Sequence, residues 1–272
     1  MNWRNKVRMA LACLLGTFFL LALASELVAP YSYARQFRDL PLAAPSAAHP
    51  LGTDALGRDV FSRVLYGSRV SLLLAPAAAL LATVIAGVSG ALAGLRGGWW
   101  EKTILASADL MMALPLLFVL LALRATLPLD VAPLLSAAAT FALLGLLGWP
   151  ASLRVVWAAT RNIRESEFLT LARAQGIGPV RMVLRHVLPN VRPVLQAQFW
   201  VTIPVFILAE ATLSMLGLGV MEPLPSWGNL LRGLEDLSAL RANPGLLSPL
   251  VLLILVVRGL QMLLPPREEL AS

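Results

Sequence analysis

Two carboxylates, Asp109 and Glu210, stand inside otherwise apolar stretches of this 272-residue chain. An acid in such a place is either an ion or proton relay or a hydrogen-bonded strut between helices, and the strut is the simpler reading of both. A polar string, HPLGTDALGRDVFSRVLYGSRVSL, holds the other chemically suggestive group: His49, Asp54, Arg58 and Asp59, punctuated by Gly52 and Gly57. Acid–base work or a metal is conceivable there. No ligands stand at metal spacing, however, and local salt bridges account for the pattern better, with Asp54 or Asp59 capping a short helix from about residue 60 to 66. The second histidine, His186, falls in a separate polar stretch. No serine sits in a G-x-S-x-G context, HExxH is absent, and neither Lys6 nor Lys102 ends a phosphate-cradling G-x-x-x-x-G-K loop. The chain is expected to be no enzyme and to bind no metal or cofactor, so any ATP-driven step falls to another chain.

The elements that must position these residues are membrane spans. Apolar residues make up 58% of the chain and charged ones 14%, and a soluble fold cannot hide that much apolar surface. Runs near residues 7–29, 70–95, 103–123, 131–151, 193–216 and 244–264 approach or exceed the roughly 20 residues needed to cross a bilayer. The expected class is therefore all-α and polytopic, with six transmembrane helices. Arg4, Lys6 and Arg8 precede the first run, which resembles a signal peptide but is long and lacks a small-x-small cleavage site; it reads as a retained span entering from the cytoplasm. Both termini are then cytoplasmic, and most Lys and Arg fall on that side. The net charge of +7 follows from this topology rather than from nucleic-acid binding. Cys13 is the single cysteine, so no disulfide framework exists. Trp99 and Trp100 read as interface anchors. The chain divides into residues 1–69, a span plus extracytoplasmic loop; 70–265, the remaining spans; and a short tail, 266–272.

One long polar interruption breaks the apolar second half, residues 161–192, on the cytoplasmic side. Phe168, Leu171, Ala172 and Gln175 recur at i, i+3, i+4 and i+7, as do Val180, Val183, Leu184 and Val187, which predicts two short amphipathic helices. Gly176 suits the left-handed position just past a helix end, and Pro179 the first turn of the next helix. Pro189 is expected to stop that helix. Arg154, Arg161, Arg164, Arg173, Arg181, Arg185 and Arg192 make the region basic. Pattern alone leaves two uses open: a loop lying on anionic lipid, or a docking element for another protein.

Residues 167–189 resemble the EAA loop of type I ABC importer permeases, in which a glycine stands a fixed distance before a Leu-Pro pair; Gly176 and Leu188-Pro189 hold those places. Ala172-Arg173-Ala174-Gln175-Gly176 and Arg185-His186-Val187-Leu188-Pro189-Asn190 are similar to the peptide and nickel branch of that family. Residues 49–72 resemble the signature ahead of the second span in the same branch. The stretch ATLSMLGLGVMEPLPSWGNLL, 211–231, resembles its LSFLGLGV and PSWG pattern, with Met215 in place of phenylalanine. Thr170 and Leu171 stand where the family has its Glu-Ala pair, and Arg258-Gly259-Leu260-Gln261 replaces a Gly-Asp and Leu-Arg-Asp ending.

The resemblance implies the type I ABC importer permease fold and one half of a translocation pore in a bacterial cytoplasmic (inner) membrane, serving peptides, nickel chelates or another small solute. It implies as partners a second homologous permease subunit, two ABC ATPase subunits carrying ATP and magnesium, an extracytoplasmic solute-binding protein and the bilayer. By resemblance Glu167, Ala172, Gly176, His186, Leu188 and Pro189 belong to the ATPase-coupling loop, together with Phe168 and Arg173. Val180, Val183, Leu184 and Val187 would supply its apolar face. A secondary transporter driven by an ion gradient through Asp109 and Glu210 is the rival reading, though no internal repeat supports it; a membrane scaffold is a third.

Overall fold

In the computed structural model the described residues are 3–126 and 132–263. They form helices joined by irregular connections, with two isolated bridges, Gln36 to Arg58 and Thr53 to Asp59, in place of any sheet. The principal helices are α1 (Trp3–Leu23), α2 (Val60–Arg96), α3 (Gly98–Ala113), α4 (Leu116–Thr126), α5 (Pro133–Leu147), α6 (Pro150–Ile163), α7 (Glu167–Ala174), α8 (Arg192–Met215) and α9 (Ser248–Leu263). Four stretches are long and apolar enough to cross a bilayer: α2, the α5–α6 pair, α8, and Pro244–Met262. The α3–α4 pair qualifies only as a bent unit, and Met9–Leu23 is a shorter apolar helix. These six stretches overlap the six expected spans and are compatible with six crossings. The tail at 266–272 lies outside the described residues.

Two local expectations change, and one span bends. The third span is not straight: α3 and α4 meet at 83° across Leu114-Pro115, because a proline forces its predecessor into extended backbone, and Leu114 has ψ of 131°. The short helix expected from 60 to 66 is the first part of a single 37-residue helix, α2, so the division at 69/70 falls inside it. Asp59 does cap it, Oδ2 accepting from the Ser62 amide at 2.8 Å. Finally, Pro189 does not stop its helix. The turn before it opens into a π-helix over Val183–Val187, where the Leu188 amide donates back to Val183, and helix continues through Leu188–Asn190. The wide turn eases the proline ring past the preceding carbonyls.

The described residues divide into two compact units. The first draws on residues 3–75, 123–126, 132–141 and 204–263, the second on 76–122 and 142–203. In the first, Val60 and Val64 pack with Ala239 and Leu246, while Trp227 is fully buried with its Nε1 donating to Ser68 Oγ at 2.9 Å. In the second, α2 and α6 lie backbone to backbone. A Cβ on Gly90 would stand 2.9 Å from the Leu153 carbonyl, and one on Gly94 2.7 Å from Thr160. This small-xxx-small spacing is how helices approach closely in lipid. A core of Ala91, Leu95, Val156, Leu169, Ala172, Met182, Val183, Val187 and Val191 then joins that pair to the basic loop.

Candidate functional site

The basic loop folds as an elbow whose two arms are locked by backbone chemistry. α7 ends in paired Schellman hydrogen bonds: the Ile177 amide donates to the Ala172 carbonyl at 3.2 Å, and the Gly176 amide to Arg173 at 2.9 Å. Gly176 has φ of +73°, and nothing lies within 4 Å of where its Cβ would stand. The glycine therefore answers a conformational need, not a steric one. Ile177 turns inward against the same core as Leu169 and Ala172, the apolar contact that commonly completes this cap. Pro179 occupies the first turn of the second arm, preceded by extended Gly178. Asn190 Nδ2 donates to the His186 carbonyl at 2.6 Å.

Burial divides the apolar stripes along their length. Leu169, Ala172, Val183 and Val187 are in the core, whereas Leu171 (62% exposed), Val180 (66%) and Leu184 (56%) face out, with Phe168 at their edge. Of the four valine and leucine positions assigned to one contact face, Val183 and Val187 thus hold the elbow to α2 and α6, and Val180 and Leu184 remain free. Glu167, Arg173, Gly176 and Pro189 are exposed, and His186 and Leu188 are half-buried, Leu188 against the core. Arg173 Nη2 donates to the Arg164 carbonyl at 3.1 Å. Thr170 turns its hydroxyl back to the Ser166 carbonyl at 3.1 Å.

On the other polar stretch the structure brings His49, Asp54, Arg58 and Asp59 into one clasp. His49 is buried between Tyr31 and Phe37, with Nδ1 2.9 Å from Asp59 Oδ1. Asp54 accepts from the Leu56 and Arg58 amides, both at 2.9 Å, and from Arg58 Nε at 2.7 Å. Gly52 and Gly57 both have φ of +71°. Among the described residues no three His, Cys, Asp or Glu side chains gather as metal ligands.

Sequence reading missed the partners that close this clasp. Glu222 receives Arg58 at 2.7 Å and buried Arg63 at 2.8 Å. Asn243 Nδ2 donates to the carbonyls of Leu51 (3.0 Å) and Thr53 (2.9 Å). These contacts join residues more than 150 positions apart, and both partners precede or adjoin prolines, where sequence shows only turns. Asp54, Arg58, Arg63, Glu222 and Arg232 line a cavity of about 290 Å³ beside it. At its rim the Ser238 hydroxyl, then the amides of Ala239 and Ser238, hold the Asp236 carboxyl below the usual carboxylate range.

The two intramembrane acids are engaged. Asp109 pairs with Arg154 of α6. Glu210 is fully buried, and its Oε1 accepts from Ser214 Oγ at 2.6 Å and Ser226 Oγ at 2.7 Å. Ser226 in turn caps the helix Trp227–Leu231 through a capping box with Asn229. Glu210 thus ties α8 to the segment that follows it. Arg124, also missed, is buried with Nη2 donating to Ser136 Oγ.

A multi-pass helical membrane protein with a rigid basic elbow is the class that this architecture defines. The family described as the binding-protein-dependent transport system inner membrane component matches residues 86–268, and the chain belongs to it. A peptide permease protein of Brucella suis biovar 1 (strain 1330) is 37% identical over 235 residues, covering 84% of this chain and 76% of that protein. The oligopeptide transport system permease protein OppC of Mycobacterium tuberculosis (strain H37Rv) is 35% identical over 232 residues, 84% of this chain and 77% of its own. The dipeptide transport system permease protein DppC of Bacillus subtilis (strain 168) is 32% identical over 225 residues, 83% and 68%. The chain is a membrane permease component of a binding-protein-dependent ABC importer, and this membership favours the importer over the ion-gradient carrier weighed from Asp109 and Glu210.

Proposed function

We propose that this chain forms half of the pore of an ATP-driven peptide importer and takes its mechanical work through residues 161–192. The observation that carries the reading is the rooting of the elbow. Leu169, Ala172, Val183 and Val187 share one core with Ala91 and Leu95 of α2 and Val156 of α6. Force applied at Leu171, Val180 and Leu184 therefore passes into two spans through close-packed side chains, which transmit displacement rather than absorb it. Two separate ATPase chains would supply that force, each binding ATP and magnesium in its own domains, and a second homologous permease subunit would complete the pore.

In this reading the loop of residues 30–59 lies on the extracytoplasmic face, where the clasp at Glu222 and Asn243 holds it ready for a solute-binding protein. Both termini and the elbow are cytoplasmic in a bacterial inner membrane. Peptides are the substrate class, supported by the names of the three relatives. The test is reconstitution. Affinity purification of the tagged chain from its native membrane is expected to bring down two ATPase subunits, and labelled dipeptide uptake into proteoliposomes is expected to require ATP. Uptake by this chain alone under a proton or sodium gradient would overturn the reading, as would labelling of Arg173 or Arg181 from the outer face.

A further inference from the structure

A corner of the second unit, where the basic loop begins, gathers three arginines beside two tryptophans. α2 ends at exposed Arg96, the chain turns through Gly97 and Gly98 at φ of +66° and +61°, and α3 opens with Trp99 and Trp100. The last turns of α6 lie alongside. The Arg164 guanidinium covers Gly97, with Nη1 2.5 Å from where a Cβ would stand, and Arg161, 61% exposed, lies over the Trp157 ring at 5.4 Å. Arg96 lies over the Trp100 ring at 5.2 Å. Trp99 and Trp100 meet edge to face at 5.6 Å, and both are more than half exposed, 69% and 51%. Glu101 faces this rim, and its Oε1 is taken by Trp157 Nε1 at 2.9 Å with Arg161 at 3.6 Å. Among the described residues, the side chains of Arg96 and Arg164 donate no hydrogen bond and form no ion pair.

We propose that Arg96, Arg161 and Arg164 bind the phosphate of an anionic phospholipid, with Trp99 and Trp100 set against its glycerol and upper acyl chains. Guanidinium forks match phosphate oxygens, and stacking on an indole ring orients the fork while leaving its N–H groups free. Paired exposed tryptophans at the end of a long apolar helix mark headgroup depth. A cation beside an anionic surface strengthens binding about fivefold, so the two unpaired ones, Arg96 and Arg164, favour an anionic over a zwitterionic lipid by on the order of 25-fold, and Arg161, shared with Glu101, adds to this. A free phosphate would satisfy the arginines but leave both indoles in water. The site does not depend on which protein meets the elbow.

The test uses the full chain purified with its co-purifying subunits, titrated with brominated phosphatidylglycerol or brominated phosphatidylcholine while tryptophan fluorescence is followed. Phosphatidylglycerol is expected to quench at a far lower mole fraction. The W99F/W100F variant should lose that component, R96Q/R161Q/R164Q should shift its midpoint by at least tenfold, and millimolar inorganic phosphate should leave it unchanged. Arg96→Gln alone, whose side chain touches the Trp100 ring, should shift it about fivefold and serves if the triple variant fails to fold. Equal quenching by the two lipids, an unshifted R96Q midpoint, or displacement by inorganic phosphate would overturn the proposal.

Discussion

Substitution of Gly176 gives a sharp test of the elbow, because the φ of +73° and the empty space around the missing Cβ make opposite demands on a side chain. If conformation alone matters, alanine costs about 1–2 kcal/mol for holding an L-residue in the left-handed region. Asparagine, which tolerates that region, costs less, and lysine costs no more than alanine despite its length. The strain falls on the Schellman pair, so opening of the Gly176 and Ile177 amides should rise about 5- to 30-fold in native-state hydrogen exchange, while core amides of Val183 and Val187 stay protected. In the reconstituted assembly, the alanine variant should retain ATP hydrolysis but lose a matching fraction of peptide uptake. Unchanged exchange in Gly176→Ala would refute the conformational argument. A loss of coupling graded by side-chain size, with exchange unaffected, would instead put a partner's surface against this turn.

Leu171→Glu and Leu184→Glu, both at exposed positions, should leave thermal stability within about 0.5 kcal/mol yet abolish co-purification of the ATPases, whereas Val187→Ala should cost on the order of 1–3 kcal/mol in denaturation of the detergent-solubilised protein. Glu222→Gln leaves buried Arg63 with only the more distant Asp54 carboxylate, at 3.7 Å; because Glu222 is about half exposed, the loss should be about 2 kcal/mol, read as faster exchange of amides in residues 30–59. Glu210→Gln keeps an acceptor for Ser214 and Ser226 and should shift Tm little, while Glu210→Leu strands both hydroxyls and should lower it clearly. Asp236 has a lowered folded pKa, so its stabilisation is present above the ordinary carboxylate pKa and lost as pH falls through the depressed value. Ser238→Ala, which leaves the two amide hydrogen bonds in place, should weaken that acid sensitivity in a Tm-against-pH series.

Some of this protein follows from the chain alone. The six apolar stretches are legible because hydrocarbon requires each span to satisfy its own backbone and cover itself with apolar side chains, a demand local to about 20 residues. Gly176 and Pro179 are legible for a similar reason: left-handed backbone and a missing N–H are properties of single residues. Asp59 as a cap is local too. Tertiary structure alone decided the rest. Whether Val183 and Val187 or Val180 and Leu184 met the core depended on where α2 and α6 lay, since a helix shows the same stripe either way. The π-turn that carries the chain through Pro189 depended on the continuation into α8. Glu222 found Arg63, and Asn243 found Leu51, across separations of 159 and 192 residues, and no local pattern records an attraction that exists only once the intervening chain has folded.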